Sequence, residues 1–207
     1  LKIGGDLVWT SSVESGTDEN AKRVIFVDLD DPLQLWDYSS FMQQIQDTSW
    51  HDELGDPPVH GLMYVNEAQD DIIWYDREAK SIYMQFNTDS NDMIGSGTSN
   101  DVFFLDGIIY AAQSDGLYVV DLLQDTGDKY TNNGLYRYAS DVTSRNDGDG
   151  HVLYVAALAL HAASTVTASA IRDPELSDQF GRQKQWFWAG TGSDPSVYSP
   201  VDNAIYD

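Results

Sequence analysis

The feature that most narrows the fold is a recurrence of short apolar or alternating runs broken by Asp-Gly and Asn-Gly pairs. Between Asp101 and Ser140, Val102-Phe103-Phe104-Leu105 is followed by Asp106-Gly107, and Ile108-Ile109-Tyr110-Ala111-Ala112 by Asp115-Gly116. Leu117-Tyr118-Val119-Val120 then leads on to Asn133-Gly134 and Leu135-Tyr136-Arg137-Tyr138. Pairs of this kind between such runs mark tight hairpin turns, because type I′ turns need positive φ at both central residues. The segment therefore reads as four antiparallel strands in succession.

Looser copies of the unit lie on either side. Leu7-Val8-Trp9, Val24 to Leu29 and Leu33 to Tyr38 read as strands of one copy, and Leu62 to Val65, Ile72 to Asp76 and Ile82 to Phe86 as strands of a second. A last copy runs through Val152 to Leu160, Trp186 to Gly190 and Ser196 to Tyr198. About four units result, over residues 1–40, 59–95, 101–140 and 152–207 of one domain. Four-stranded meanders repeating every roughly 40–45 residues are the pattern of β-propeller blades, each unable to bury its faces until a neighbour stacks on it. The fold expected is all-β, a propeller-like partial ring. Inserts at 39–58 and 164–184 break the period. Phe41, Met42 and Ile45 predict a short helix in the first, and Asp173-Pro174-Glu175 a helix start in the second. Strand-like sequence near both ends, at Leu7 to Trp9 and Ala204 to Tyr206, predicts that more chain or another subunit covers the outermost units.

Composition limits the partners. The net charge is −23, from 34 acidic and 11 basic residues, which repels a phosphate backbone and argues against nucleic acid. All but six of the acids are Asp, a turn residue rather than a strand residue, so much of the charge follows from the many turns. There is no Cys, which removes disulfides, thiolate zinc sites and cysteine nucleophiles. No apolar run approaches the roughly 18 residues of a membrane-spanning helix.

Two segments carry a family likeness. Trp188-Ala189-Gly190-Thr191-Gly192 with Ser196-Val197-Tyr198-Ser199-Pro200, and Tyr110 to Asp121, resemble the strand pair W-x-G-T-x-x-G-(L/V)-x-x-(Y/V)-D of bacterial extracellular propeller repeats. They are similar as well to propeller segments of large bacteriophage virion proteins. Asp194-Pro195 stands where that pattern has Asp-Gly. The resemblance implies a non-catalytic structural or recognition propeller of a tail or fibre, located in a virion or outside the cell. Its partners would be the rest of the same polypeptide or other subunits, with a cell-surface glycan or protein as the contact. Two other classes fit a propeller: the propeller domain of a secreted polysaccharide-acting enzyme, and a periplasmic sensor of a small ligand.

Few residues stand out as chemistry. Asp147 and Asp149, in Asn146-Asp147-Gly148-Asp149-Gly150, are a calcium candidate, since carboxylates one residue apart can converge on a hard cation. The bidentate acid of an EF-hand would fall on Leu158, and the alternative is a hairpin tip. His51-Asp52-Glu53 with His60 gathers metal-ligand types without the helical spacing of a zinc site. Gly95 to Ser99 lacks the Lys of a phosphate loop, and no Gly-x-Ser-x-Gly surrounds a serine. Trp50, in an insert, is the aromatic candidate for stacking on a sugar ring or partner, whereas Trp74 and Trp188 fall in strand patterns and are expected in the core. No nucleophile, acid–base or metal constellation stands above chance.

Overall fold

The computed structural model describes residues 2–3, 6–7, 21–66, 71–86, 97–139, 141–142, 155–192 and 194–206. These form three antiparallel meanders and a small ladder of β1 (Lys2–Ile3) with β2 (Asp6–Leu7). The first sheet contains β3 (Ala21–Asp28), β4 (His60–Asn66), β5 (Ile72–Asp76) and β6 (Ser81–Phe86). The second contains β7 (Ser99–Leu105), β8 (Ile108–Gln113), β9 (Gly116–Asp121), β10 (Thr126–Thr131) and β11 (Gly134–Ala139). The third contains β12 (Thr167–Ser177), β13 (Gln183–Gly190), β14 (Pro195–Ser199) and β15 (Ala204–Tyr206). In each sheet the strands lie in sequence order.

The stacking is that of propeller blades. The first strand of the second sheet, β7, lies beside the first strands of the other two, β3 and β12, so the sheets meet along their first strands. The second sheet is the middle blade. One apolar cluster, with Met63, Val65, Ile72 and Trp74 facing Val102, Phe104, Ile109 and Tyr118, fills the space between it and the first sheet. Another, with Tyr110, Leu117 and Tyr130 facing Ala168, Ala170 and Phe187, fills the space between it and the third. Along β13 the buried positions alternate at Gln185, Phe187 and Ala189, as expected of a strand with one covered face. The described sheets do not close a ring.

Turn chemistry recurs from blade to blade. The β5–β6, β9–β10 and β14–β15 hairpins all have four-residue loops ending on a left-handed residue: Lys80 (φ 56°), Asp125 (φ 53°) and Asn203 (φ 50°). Asp76, Asp121 and Ser199 open these loops. The Oδ1 of Asp76 accepts from the backbone N–H of Glu78 and Ala79, and that of Asp121 from Leu123 and Gln124. Ser199 Oγ accepts from Asp202 N–H. A short polar side chain that satisfies the loop backbone in this way is why Asp is so abundant here.

Several sequence expectations shift. Asp106-Gly107 is the expected turn, with φ of 52° and 74°. At the other two pairs the loops are Ser114-Asp115 and Asn132-Asn133, one residue earlier, and Gly116 and Gly134 open the following strands. Gly116 is required by close approach: a Cβ there would lie 2.4 Å from the carbonyl oxygen of Tyr130. Residues 33–38, expected as a strand, are turns leading into a helix. Asp31 accepts from Leu33 N–H through its side chain and from Gln34 and Leu35 N–H through its carbonyl, and these bonds replace a ladder. The first insert does hold helices: α1 (Tyr38–Gln44), capped by Asp37, and α2 (Ser49–Leu54), capped by Thr48. They sit between β3 and β4 of one sheet, so β3 belongs with 60–86 and not with a separate first unit.

Asp173-Pro174-Glu175 begins no helix. It is a bulge within β12, where Asp173 Oδ1 accepts from Glu175 and Leu176 N–H and the register with β13 shifts. The second insert is thus the inner strand of the third sheet. The stretch 155–160, expected as strand, makes one isolated bridge at Val155 and a 3-10 turn at Ala156–Leu158.

Candidate functional site

The hairpins of the second and third sheets fall at two opposite ends. At the β7–β8 and β9–β10 end, the second and third sheets meet along a charged seam. Asp106 is fully enclosed: its Oδ1 accepts from Trp36 N–H at 2.8 Å and from Arg172 Nη2 at 2.7 Å, and its Oδ2 from Arg172 Nε at 2.7 Å. Arg172 Nη1 donates on to the carbonyl of Pro32 at 2.6 Å. One carboxylate therefore holds the third sheet, the helical insert and its own turn together.

Arg182 forms the second strut. Its guanidinium grips both oxygens of Asp121, donates through Nε to Asp178 at 2.6 Å and through Nη1 to the carbonyl of Asp106 at 3.1 Å. Burial works against its charge, but Asp121 and Asp178 outweigh that and raise its pKa above the ordinary arginine value. A cavity of about 230 Å³ lies beside it, lined by Asp121, Asp128, Tyr130, Arg182, Gln185 and Tyr198 among others. Burial pushes the Asp128 carboxyl up to about 6, with Arg137 Nε at 2.6 Å partly offsetting the effect. Burial also raises the Tyr110 phenol well above its usual range, and its O–H donates to Gln185 at 2.7 Å. At the inner edge, Asp101 accepts from Arg23 on the first sheet at 2.7 Å and from Ala168 N–H on the third at 3.1 Å.

At the opposite end, the β8–β9 and β10–β11 hairpins border an open cavity of about 530 Å³. Lys129, Asp115, Asn132, Asn133, Tyr136 and Tyr138 line it. Lys129 Nζ lies 2.6 Å from Asp115 Oδ2, and 5.0 and 5.8 Å from the ring centroids of Tyr118 and Tyr138.

Trp50 is no surface contact. Its exposure is 0%, its N–H donates to the carbonyl of Leu122 at 2.9 Å, and helix α2 seats it against the second sheet. An indole anchoring a helical insert has no face left for a sugar. Trp74 is in the core as expected, while Trp188 is half-buried. Asp147 and Asp149 lie outside the described residues. His51 pairs with Asp56 at 2.8 Å, and His60 lies 3.8 Å from Asp28 and 3.6 Å from Glu78, so the two histidines do not share a site. Among the described residues no group of three or more His, Asp or Glu side chains is placed to hold a metal ion.

Sequence reading missed Asp106, Asp121, Arg172 and Arg182 as a unit, and it missed the cavity at Tyr136. The signal available was scarcity: in a chain with 11 cations and 34 acids, each arginine is a conspicuous choice. Arg23, Arg137, Arg172 and Arg182 all hold carboxylates.

No protein-family model matches the chain, and no curated protein matches it. Among solved structures it is similar to yeast Hsv2 proteins, which are β-propellers. A Kluyveromyces lactis Hsv2 with loop 6CD replaced by a Gly-Ser linker is 15% identical with a TM-score of 0.29. The same protein with its complete loop 6CD is 13% identical with a TM-score of 0.30, and the Hsv2 of Kluyveromyces marxianus 9% identical with 0.30. The matches cover 70–71% of this chain, which spans a little under half of those structures, 44–47%. The blade stacking lies in the side-by-side first strands and the repeated hairpin loops.

Proposed function

We propose that the chain is a propeller segment with a structural or recognition role in a larger assembly, and that it is not a catalyst. The observation that carries this reading is the use made of the charged groups at the Arg182 seam. Asp106, Asp121, Arg172 and Arg182 are engaged in tying sheet to sheet and insert to sheet. A general acid, base or nucleophile must instead present its reactive atom to a substrate. Rigid blades with loops gathered at both ends are a common scaffold for binding. The motif likeness to bacteriophage virion propellers supports placing that assembly in a tail or fibre that meets a host surface.

Two measurements test the reading. The labelled, purified chain should bind intact bacterial cells saturably, in competition with unlabelled chain, and should show no turnover of polysaccharides. Turnover abolished by substituting one carboxylate would overturn it in favour of an enzyme. Loss of all saturable binding across cell types would leave only the structural half.

A further inference from the structure

Among the described residues the second sheet has one strand more than its neighbours. That strand, β11, lies at the sheet's outer edge, and with the turn before it walls the open cavity of about 530 Å³. Tyr118, Lys129 and Tyr136 are register partners across β9, β10 and β11, and Tyr138 follows Tyr136 by one strand period, so all four side chains share a face. Asn132 and Asn133 stand exposed at the rim, on the hairpin tip.

Charge and polarity narrow what this cavity can take. Its cation and its anion neutralise each other, with Lys129 Nζ 2.6 Å from Asp115 Oδ2 and the Tyr118 hydroxyl donating to the same oxygen at 3.0 Å. An anion would meet a lysine already paired, on a chain of net charge −23. A cation would find Asp115 Oδ2 shared by two donors and Oδ1 buried out of its reach. A wholly apolar ligand would cover the amide groups and the ion pair without replacing their bonds to water, which is costly. A neutral polyhydroxyl ring meets each demand: its C–H face lies on a tyrosine ring, and its hydroxyls, donors and acceptors at once, match the asparagine amides.

We propose that this cavity binds a neutral carbohydrate, with room for roughly one or two sugar rings in a pocket of ligand-binding size. The proposal rests on the recognition reading above and adds to it a place and a ligand class. The test is an array of neutral mono- to tetrasaccharides printed beside sialylated and sulfated glycans, probed with the labelled 207-residue chain. Tyr136→Ala and Asn133→Ala variants are run alongside, their folding checked by circular dichroism; Asn133 is at an exposed tip, so its loss leaves the sheets intact. Binding to neutral glycans that weakens about tenfold in both variants is the expected result, the effect of one lost ring or amide contact. Preference for the acidic glycans overturns the proposal. Neutral binding that survives both substitutions overturns the site but leaves the recognition reading in place. No binding to any glycan overturns it too, and the cell-binding assay then decides separately whether the chain is a recognition module.

Discussion

Asp106 combines three demands that few residues meet. It takes φ of 52°, where short polar side chains are tolerated and most others are not, and it accepts from Trp36 N–H and from two nitrogens of Arg172. Removing one partner of a buried ion pair leaves the other uncompensated, at about 3–5 kcal/mol. Asp106→Ala should lose about that much in urea unfolding, whereas Asp106→Asn, which keeps the turn and an acceptor oxygen, should lose clearly less. Equal losses would show that the charge matters and the turn does not. Asp128 behaves in the opposite sense. Burial raises its pKa from 3.8 to about 6, so between those values the folded chain holds a proton that the unfolded chain has released. Its contribution to stability is therefore greatest at low pH and falls as pH rises through that window. Asp128→Asn should raise stability at pH 7.5 by on the order of 1–3 kcal/mol and by much less at pH 4.5. A gain that is the same at both pH values would rule out the linkage.

At the scale of elements, the helical insert is held to the second sheet by small, specific contacts. Gly107 has φ of 74°, and a Cβ there would lie 2.7 Å from the Phe41 ring of α1. Ser49 donates from both its N–H and its hydroxyl to Asp125, at 2.7 and 2.6 Å. Gly107→Ala should cost about 1–2 kcal/mol from the backbone alone, with a further loss from displacing Phe41. Protease cleavage within 38–54 should then precede global unfolding, and unchanged protection there would sink the account. Strand identity was legible where apolar runs were long and turns carried Asp-Gly, as at Val102 to Val120. It was illegible at 167–177, because Thr167-Ala168-Ser169-Ala170 alternates small residues and a strand hidden by its size pattern looks like a linker. The site was less legible than the fold. Arg182 joins Asp121 across 61 positions of sequence, and the row of Tyr118, Lys129 and Tyr136 exists only through strand register. Trp50 misled for the same reason, since its loop is a helix folded back onto Leu122.

For the whole molecule, the two inter-blade spaces are filled, and the outer face of the third sheet is the contrast. Phe187, Ala168 and Ala170 point to the second sheet, so Trp186, Trp188 and Ile171 point the other way. Ile171 is 55% exposed and Tyr206, in register with Val197, 51%. An apolar β-face of this kind is suited to cover by another sheet, as each face of the middle blade is covered. Two copies of the chain would bring −23 against −23, which opposes pairing at low ionic strength. Salt shortens the Debye length from about 30 Å at 0.01 M to about 3 Å at 1 M, which removes that repulsion, and a sulfate salt also strengthens apolar burial. Sedimentation velocity should accordingly find the chain monomeric in 0.01 M salt and associating as salt approaches 1 M. Ile171→Lys, which places a charge on the face beside Trp186 without touching either filled space, should abolish the association and leave the unfolding midpoint nearly unchanged. Association that is unaffected by the lysine would place the contact elsewhere on the surface. A chain that stays monomeric at every salt concentration would mean that the exposed face of the third sheet is stable in water without a partner.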